Sequence, residues 1–147
     1  MSAIIFAGPT IRKPDIIRLC DATILPPAAM GDIYRAARQR PRAIGIIDGD
    51  FEGAPSVWHK EILWAMAEGI EVFGASSMGA LRAAELANFG MCGIGEIFAA
   101  YVAGRLEDDD EVAVEHGPAE MNYITLSEPL VNIRATIDRA IATSAAN

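Results

Sequence analysis

Short apolar runs alternate along this chain with segments of helical periodicity, and this alternation limits the possible folds more than any other feature. The runs at residues 3–7, 43–47 and 70–73 lack the polar alternation of a half-exposed strand. Residues 22–25 are predicted to form a further short strand. Such strands are typical of a parallel sheet covered on both faces. The sequence predicts a three-layer α/β fold with a mostly parallel sheet and helices on both faces, of Rossmann-like or Clp/crotonase-like topology.

Helical segments fill the intervals between these runs. The segment at residues 57–68 has Ser56 as its expected N-cap and Gly69 as its stop. After the acidic run at residues 107–111, residues 112–114 are expected to form one more strand. The helices are predicted at residues 30–39, 57–68, 78–88, 94–102 and 130–142.

The composition indicates one globular domain. The 147 residues contain neither an internal repeat nor a linker, which predicts a single domain over residues 1–147. The net charge of −8 argues against a general binder of nucleic acid or of an anionic membrane. No signal peptide or membrane span is evident, so a cytoplasmic location is expected. Cys20 and Cys92 have apolar neighbours and no CxxC spacing, which predicts buried free thiols.

Three loops are expected to meet at one edge of the sheet, because the carboxyl ends of parallel strands lie together there. They span residues 8–10, 48–53 and 74–79. In the third loop a serine lies between small residues at a strand-to-helix turn, which is the layout of a nucleophile elbow. The helix that follows could stabilise an oxyanion with its free amides. Ser77 is therefore either a nucleophile or a helix cap.

The string Ser77-Met78-Gly79-Ala80 resembles the nucleophile turn of Clp-type serine peptidases. That resemblance implies that the Met78 amide forms part of an oxyanion hole. A glycine turn after a neighbouring strand supplies the other donor in those enzymes, and Gly49 is the candidate here.

A serine nucleophile also needs a proton acceptor. His59, in the first turn of the predicted 57–68 helix, is the preferred base, and Lys60 beside it is the alternative. Asp48 and Asp50 are available to orient an imidazole. The plainer interpretation is a histidine at the helix surface with one hydrogen bond, next to a solvated lysine.

No phosphate-binding glycine motif occurs in the chain. The acidic residues at 48–52 and 107–111 leave magnesium binding as a minor option. Their spacing matches no EF-hand, and acidic runs are more often solvated loops. The sequence therefore predicts no cofactor and no metal.

Several segments taken together resemble the TfuA-like core domain. The strongest is the run at residues 74–86, Gly-Ala-Ser-Ser-Met-Gly-Ala-Leu-Arg-Ala-Ala-Glu-Leu. In order and spacing the resemblance covers nearly the whole chain. The other segments lie at residues 6–10, 25–27 with 31–32, 48–49 with 51, 56–62, 90–91, 93–95, 101, 109–113 and 127–134.

The resemblance implies an accessory role in forming backbone thioamides. A YcaO enzyme activates a backbone amide oxygen with ATP, and sulfide then replaces that oxygen. A TfuA-like partner would supply the sulfide by hydrolysing the C-terminal thiocarboxylate of a ubiquitin-like sulfur carrier, with Ser77 as nucleophile. The alternative is a non-catalytic adaptor that docks the carrier onto the YcaO enzyme. A homodimer is a further option; nucleic acid and membrane are not expected partners.

Residues around the elbow are candidates for contact with substrate or partner. Arg82 and Glu85 lie three apart on one helix, so they either pair on its surface or leave Arg82 to bind a carboxylate as a fork. The remaining candidates are Ser76, Gly79, Pro9 and Thr10.

Overall fold

A computed structural model describes residues 2–145, which contain a five-stranded parallel sheet. Every pairing between neighbouring strands is parallel. The strand order β2-β1-β3-β4-β5 is that of flavodoxin-like doubly wound proteins, so the three-layer α/β prediction is confirmed in its Rossmann-like form. The strands are β1 (Ala3–Phe6), β2 (Ala22–Leu25), β3 (Ala43–Ile46), β4 (Glu71–Ala75) and β5 (Cys92–Ile94).

The chain reverses its direction across the sheet after β2. Because crossovers between parallel strands are right-handed, this reversal places the first helix on the face opposite the next three. Within residues 2–145, no helix is long and apolar enough to cross a membrane. The helices are α1 (Lys13–Leu19), α2 (Asp32–Ala37), α3 (His59–Ala67), α4 (Met78–Leu86), α5 (Glu96–Val102) and α6 (Leu130–Ala145).

Glycine allows α4 to lie directly against the sheet. The Gly79 amide donates a hydrogen bond of 3.2 Å to the Ile47 carbonyl oxygen. A Cβ atom on Gly79 would overlap the Ile46 carbonyl oxygen, and one on Gly74 would overlap the carbonyl of Gly79. The backbones of α4, β3 and β4 therefore touch, which fixes the position of the turn between β4 and α4.

A buried carboxylate joins the starts of α2 and α3. Glu61 accepts hydrogen bonds from the amides of Gly31 at 2.8 Å, Tyr34 at 3.2 Å and Trp58 at 3.0 Å. These contacts satisfy amides that a helix N-terminus leaves free. The predicted N-cap at Ser56 is wrong, because α3 begins three residues later and the Ser56 hydroxyl donates to a carbonyl in the loop after β3.

Two elements differ from the sequence prediction because they are short. The prediction misses α1, which has seven residues and a single buried side chain, Ile16. It also misses β5, a three-residue edge strand that contains Gly93. The predicted strand at residues 112–114 is wrong: a short 3₁₀ helix, Asp109–Glu111, precedes irregular chain there.

The prediction of buried thiols is also wrong. Cys20 follows the exposed end of α1, and Cys92 begins the edge strand β5, so both side chains are exposed. Both are free thiols.

Candidate functional site

A cavity of about 270 Å³ opens at the carboxyl edge of the sheet, and we call it the serine cavity. Pro9 and Thr10 line it from the loop after β1, and Ser76 and Ser77 line it from the turn between β4 and α4. The structure thus brings together two of the loops that the sequence placed at this edge. The other lining residues are Ile97, Val112, Val114, Thr125, Glu128, Pro129, Val131 and Asn132.

The Ser77 hydroxyl is hydrogen-bonded to a backbone carbonyl of the protein. It donates a hydrogen bond of 2.9 Å to the Val112 carbonyl oxygen, and the residue is only 5% exposed. Ser77 stands at the N-cap position of α4 but makes no side-chain capping bond. Its hydroxyl therefore holds the chain after the 3₁₀ helix against the β4–α4 turn and builds the wall of the serine cavity.

Ser76 has the geometry expected of a serine at a nucleophile elbow. Its φ of 61° lies in the left-handed region, which costs a residue with a side chain on the order of 1–3 kcal/mol. Such strain recurs at the corner residue of strand-to-helix elbows. The side chain is partly exposed and lines the serine cavity, and its hydroxyl has no hydrogen-bond partner within residues 2–145. Ser76, rather than Ser77, is the hydroxyl available to a bound molecule.

Asp48 positions the opposite wall of the serine cavity. This carboxylate is 1% exposed and accepts bonds from the Gly8 amide at 2.7 Å, the Thr10 amide at 3.1 Å and the Thr10 hydroxyl at 2.6 Å. The pattern explains why an aspartate follows β3, since it ties the loop after β1 to the neighbouring strand. Its contacts are with that loop and not with the predicted His59 ring.

The side chains of His59, Arg82 and Glu85 form a separate cluster between α3 and α4. His59 Nε2 lies 2.7 Å from Glu85 Oε2, and Arg82 Nη1 donates to the same oxygen at 2.9 Å. Arg82 Nε also donates to the Val57 carbonyl at 2.9 Å. Of the two predicted arrangements for Arg82 and Glu85, the structure has the ion pair. None of the three side chains lines the serine cavity.

The alternative base, Lys60, lies over an aromatic ring. Its Nζ atom is 5.9 Å from the ring centroid of Trp58, a side chain that is 58% exposed. A cation over the face of tryptophan is a stabilising arrangement. Lys60, like His59, is therefore held outside the serine cavity by a contact of its own.

The two residues predicted to form an oxyanion hole, Gly49 and Met78, are in contact through the Met78 side chain. A Cβ atom on Gly49 would lie 2.6 Å from Met78 Cγ, and Met78 is 1% exposed. Gly49 is thus a glycine because the Met78 side chain fills the space beside it. Neither residue lines the serine cavity, and the Gly79 amide is already bonded to Ile47.

The start of α6 supplies the polar wall that sequence reasoning missed. Glu128 and Asn132 both line the serine cavity, and the Asn132 amide donates to the Glu128 carboxylate. Their spacing of four residues at a helix start could have indicated that the two side chains pair. Some fifty residues of sequence separate them from the elbow, so no sequence pattern indicates that they lie beside it. Among the lining residues in the described part of the chain, Glu128 is the ionisable one, and no histidine, lysine or arginine is present.

A charged contact outside the cavity fastens this wall. Arg134 on α6 donates to both carboxylate oxygens of Glu111, at 2.9 and 3.0 Å, and this hydrogen bonding raises the pKa of Arg134. Nearby, the Tyr101 hydroxyl donates to the Asp108 carbonyl oxygen at 2.8 Å. Burial, and then the negative charges led by Glu111, raise the pKa of Tyr101 to about 12.

A second cavity, of about 600 Å³, adjoins the first at Val114. The loop after β3 lines one side, with Asp50, Phe51, Glu52 and Gly53, and the chain at His116 lines the other. Within residues 2–145 there is no group of three or more histidine, cysteine or acidic side chains that could hold a metal ion.

Comparison with known families assigns the chain. The family model described as TfuA-like protein matches residues 48–147, a range that includes the β4–α4 turn and α6. The chain belongs to the TfuA-like family. Members of the TfuA-like family are accessory proteins of thioamide-forming systems and are associated with YcaO enzymes. Among curated proteins, none matches the sequence. In this TfuA-like protein the first three strands precede the matched range and complete the sheet that carries the elbow.

Proposed function

We propose that this protein supplies sulfide to a YcaO enzyme, and that its serine cavity receives the C-terminal thiocarboxylate of a ubiquitin-like sulfur carrier. The observation that carries the proposal is the conformation of Ser76. A strained serine at a strand-to-helix turn has its hydroxyl free toward a cavity. The start of α4 lies beside it, and the positive end of a helix favours a bound anion such as a thiocarboxylate.

The two adjoining cavities suit an extended peptide tail. The serine cavity, at about 270 Å³, has room for a terminal residue, and the second cavity continues past Val114. A flexible carrier tail entering by the second cavity would place its end at Ser76. The globular part of the carrier would then remain outside, against the loop after β3.

Hydrolysis at this site would proceed through an acyl-serine. The Ser76 hydroxyl oxygen attacks the thiocarboxylate carbon and passes its proton through a general base to the sulfur, the C–S bond breaks, and the sulfur leaves as hydrosulfide, HS⁻. Water then cleaves the ester and restores the carrier carboxylate, so that one water is consumed for each sulfide released. Glu128 is the proton acceptor that lines the same cavity.

A non-catalytic adaptor is the second candidate, and the absence of a basic side chain favours it. No histidine, lysine or arginine lines the serine cavity within residues 2–145. In that case the protein binds the carrier tail and presents it, and the YcaO enzyme takes the sulfur. Incubation of the purified protein with thiocarboxylated carrier alone separates the two candidates. Sulfide release without the YcaO enzyme indicates hydrolysis, and release that requires the enzyme indicates an adaptor.

The binding site itself is tested by filling the cavity. Thr125 lines the serine cavity with an exposed side chain, so Thr125→Trp should block it without disturbing the core. We expect carrier affinity, measured by calorimetry, to fall at least about tenfold. The matched control is Thr143→Trp, an exposed threonine far along α6, which should bind the carrier as the unmodified protein does. Unchanged affinity of Thr125→Trp would exclude the serine cavity as the tail site.

A further inference from the structure

Helix α6 carries an apolar stripe that nothing in the described chain covers. Leu130, Ile133, Ile137 and Ile141 follow each other at intervals of three, four and four residues, which places them on one helix face. They are 40%, 42%, 52% and 63% exposed, and no side chain of α6 within Leu130–Ala145 is buried. An isolated helix of about 16 residues is marginal in water, so its stability requires a packed face.

The stripe points away from the rest of the molecule. On a helix with 3.6 residues per turn, Val131 and Asn132 lie on the side opposite the stripe. These two residues line the serine cavity, so that side faces the sheet. The apolar face is therefore open to another molecule.

We infer that this face pairs with the same face of a second copy, with the two α6 helices antiparallel and a two-fold axis beside Thr136. With a rise of about 1.5 Å per residue, Ile137 then lies about 1.5 Å from the axis on one side. Ile133 lies about 4.5 Å from it on the other side, and the partner helix repeats these positions in reverse. The isoleucines of one copy therefore alternate along the interface with those of the other and do not collide.

Charge complementarity supports this register. Arg134 and Asp138 are one turn apart on the same flank of the stripe, at equal distances on either side of the proposed axis. Arg134 of each copy then faces Asp138 of the partner subunit, which makes two symmetric ion pairs. The bond from Arg134 to Glu111 uses two of the five N–H donors of the guanidinium group, and three remain. In a parallel pair the matching flanks of the two copies lie on opposite sides of the interface, so Arg134 would not meet Asp138 of the partner subunit.

The pairing would also affect the serine cavity. The face of α6 opposite the stripe forms one wall of that cavity, and the Arg134–Glu111 contact fastens α6 outside it. A second helix packed against the stripe would hold this wall in place. The proposed dimer and the carrier site therefore use opposite faces of one helix.

Sedimentation equilibrium tests the dimer. We expect the purified chain to be dimeric at micromolar concentration and Ile137→Glu to weaken association at least about a hundredfold, since one substitution places two carboxylates in the interface. The matched control is Ala142→Glu, which adds the same carboxylate at an exposed position on the side of α6 opposite the stripe and should leave the dimer intact. A chain that stays monomeric at tens of micromolar, or an Ile137→Glu variant that still dimerises, would overturn the inference.

Cysteine cross-linking tests the register. In a Cys20→Ser, Cys92→Ser background, Ile137→Cys should form an interchain disulfide readily, because the two positions lie about 3 Å apart along the axis. Leu130→Cys should not, because its two copies lie about 18 Å apart along the axis. Efficient cross-linking at both positions would indicate a parallel pair and contradict the proposed arrangement. A thermal melt of each variant shows whether it is folded.

Discussion

The two adjacent serines of the β4–α4 turn should respond to alanine in opposite ways. Ser77→Ala removes the donor of a 2.9 Å hydrogen bond and leaves the buried Val112 carbonyl without a partner. A buried polar group left unpaired costs about 1–3 kcal/mol, so we expect the free energy of unfolding to fall by about 2 kcal/mol. For a domain of this size that loss lowers the melting temperature by about 4–8 °C.

Ser76→Ala is the matched control, since it makes the same chemical change one residue earlier. The Ser76 hydroxyl has no bond to lose within residues 2–145, and alanine meets the same backbone strain. We expect its free energy of unfolding to stay within about 0.5 kcal/mol of the unmodified protein. Urea denaturation of both variants, followed by circular dichroism, measures the difference. Equal stability of the two variants would refute the assignment of a structural hydroxyl to Ser77 and a free one to Ser76.

Three further predictions concern the scaffold. Gly79→Ala should destabilise the protein by about 1–3 kcal/mol in urea unfolding, because its Cβ atom would overlap the Ile46 carbonyl oxygen and push α4 off the sheet. Gly53→Ala, in an exposed loop, should be nearly neutral. Equal effects of the two substitutions would contradict the close packing of α4 on the sheet. Asp48→Ala should lower the free energy of unfolding by about 3 kcal/mol and weaken carrier binding, since it frees the loop after β1. Unchanged carrier affinity would show that this loop does not contribute to the binding site. The pKa of Tyr101 is raised to about 12, so its contribution to stability should be full below pH 10 and lost as the pH rises through 12. Phenolate absorbance should show this late transition and Tyr101→Phe should remove it, whereas its persistence in the variant would assign it to another tyrosine.

Much of the fold follows from the sequence because its strands are short apolar runs, which are typical of buried strands in a parallel sheet. The runs at residues 22–25 and 43–47 are too short for buried helices, and in a parallel sheet they define both the layers and the edge where loops meet. The edge strand β5 could not be predicted in this way. It has three residues, one of them Gly93, and it pairs only because β4 presents a free edge beside it.

The site was only partly predictable, since its details depend on where one strand ends. The sequence indicates an end at residue 73, but β4 continues to Ala75. That shift makes Ser76 the corner residue and turns Ser77 inward to the Val112 carbonyl. The partner of Ser77 lies 35 residues away in irregular chain, where no periodicity marks it.

The predicted base fails to reach the cavity for a similar reason. His59 does lie in the first turn of α3, as the sequence suggested, but Glu85 on the next helix binds its ring. A pairing between two helices depends on how they pack, which a sequence pattern does not specify.

Single-turnover release of sulfide from thiocarboxylated carrier by the Ser76→Ala variant tests the account most directly. If the Ser76 hydroxyl is the group that meets the carrier's terminus, release should fall by about 10³-fold or more while the carrier still binds. Ser77→Ala, assayed at a temperature where it is folded, should keep most of the activity. Full activity in Ser76→Ala, or loss confined to Ser77→Ala, would contradict the account.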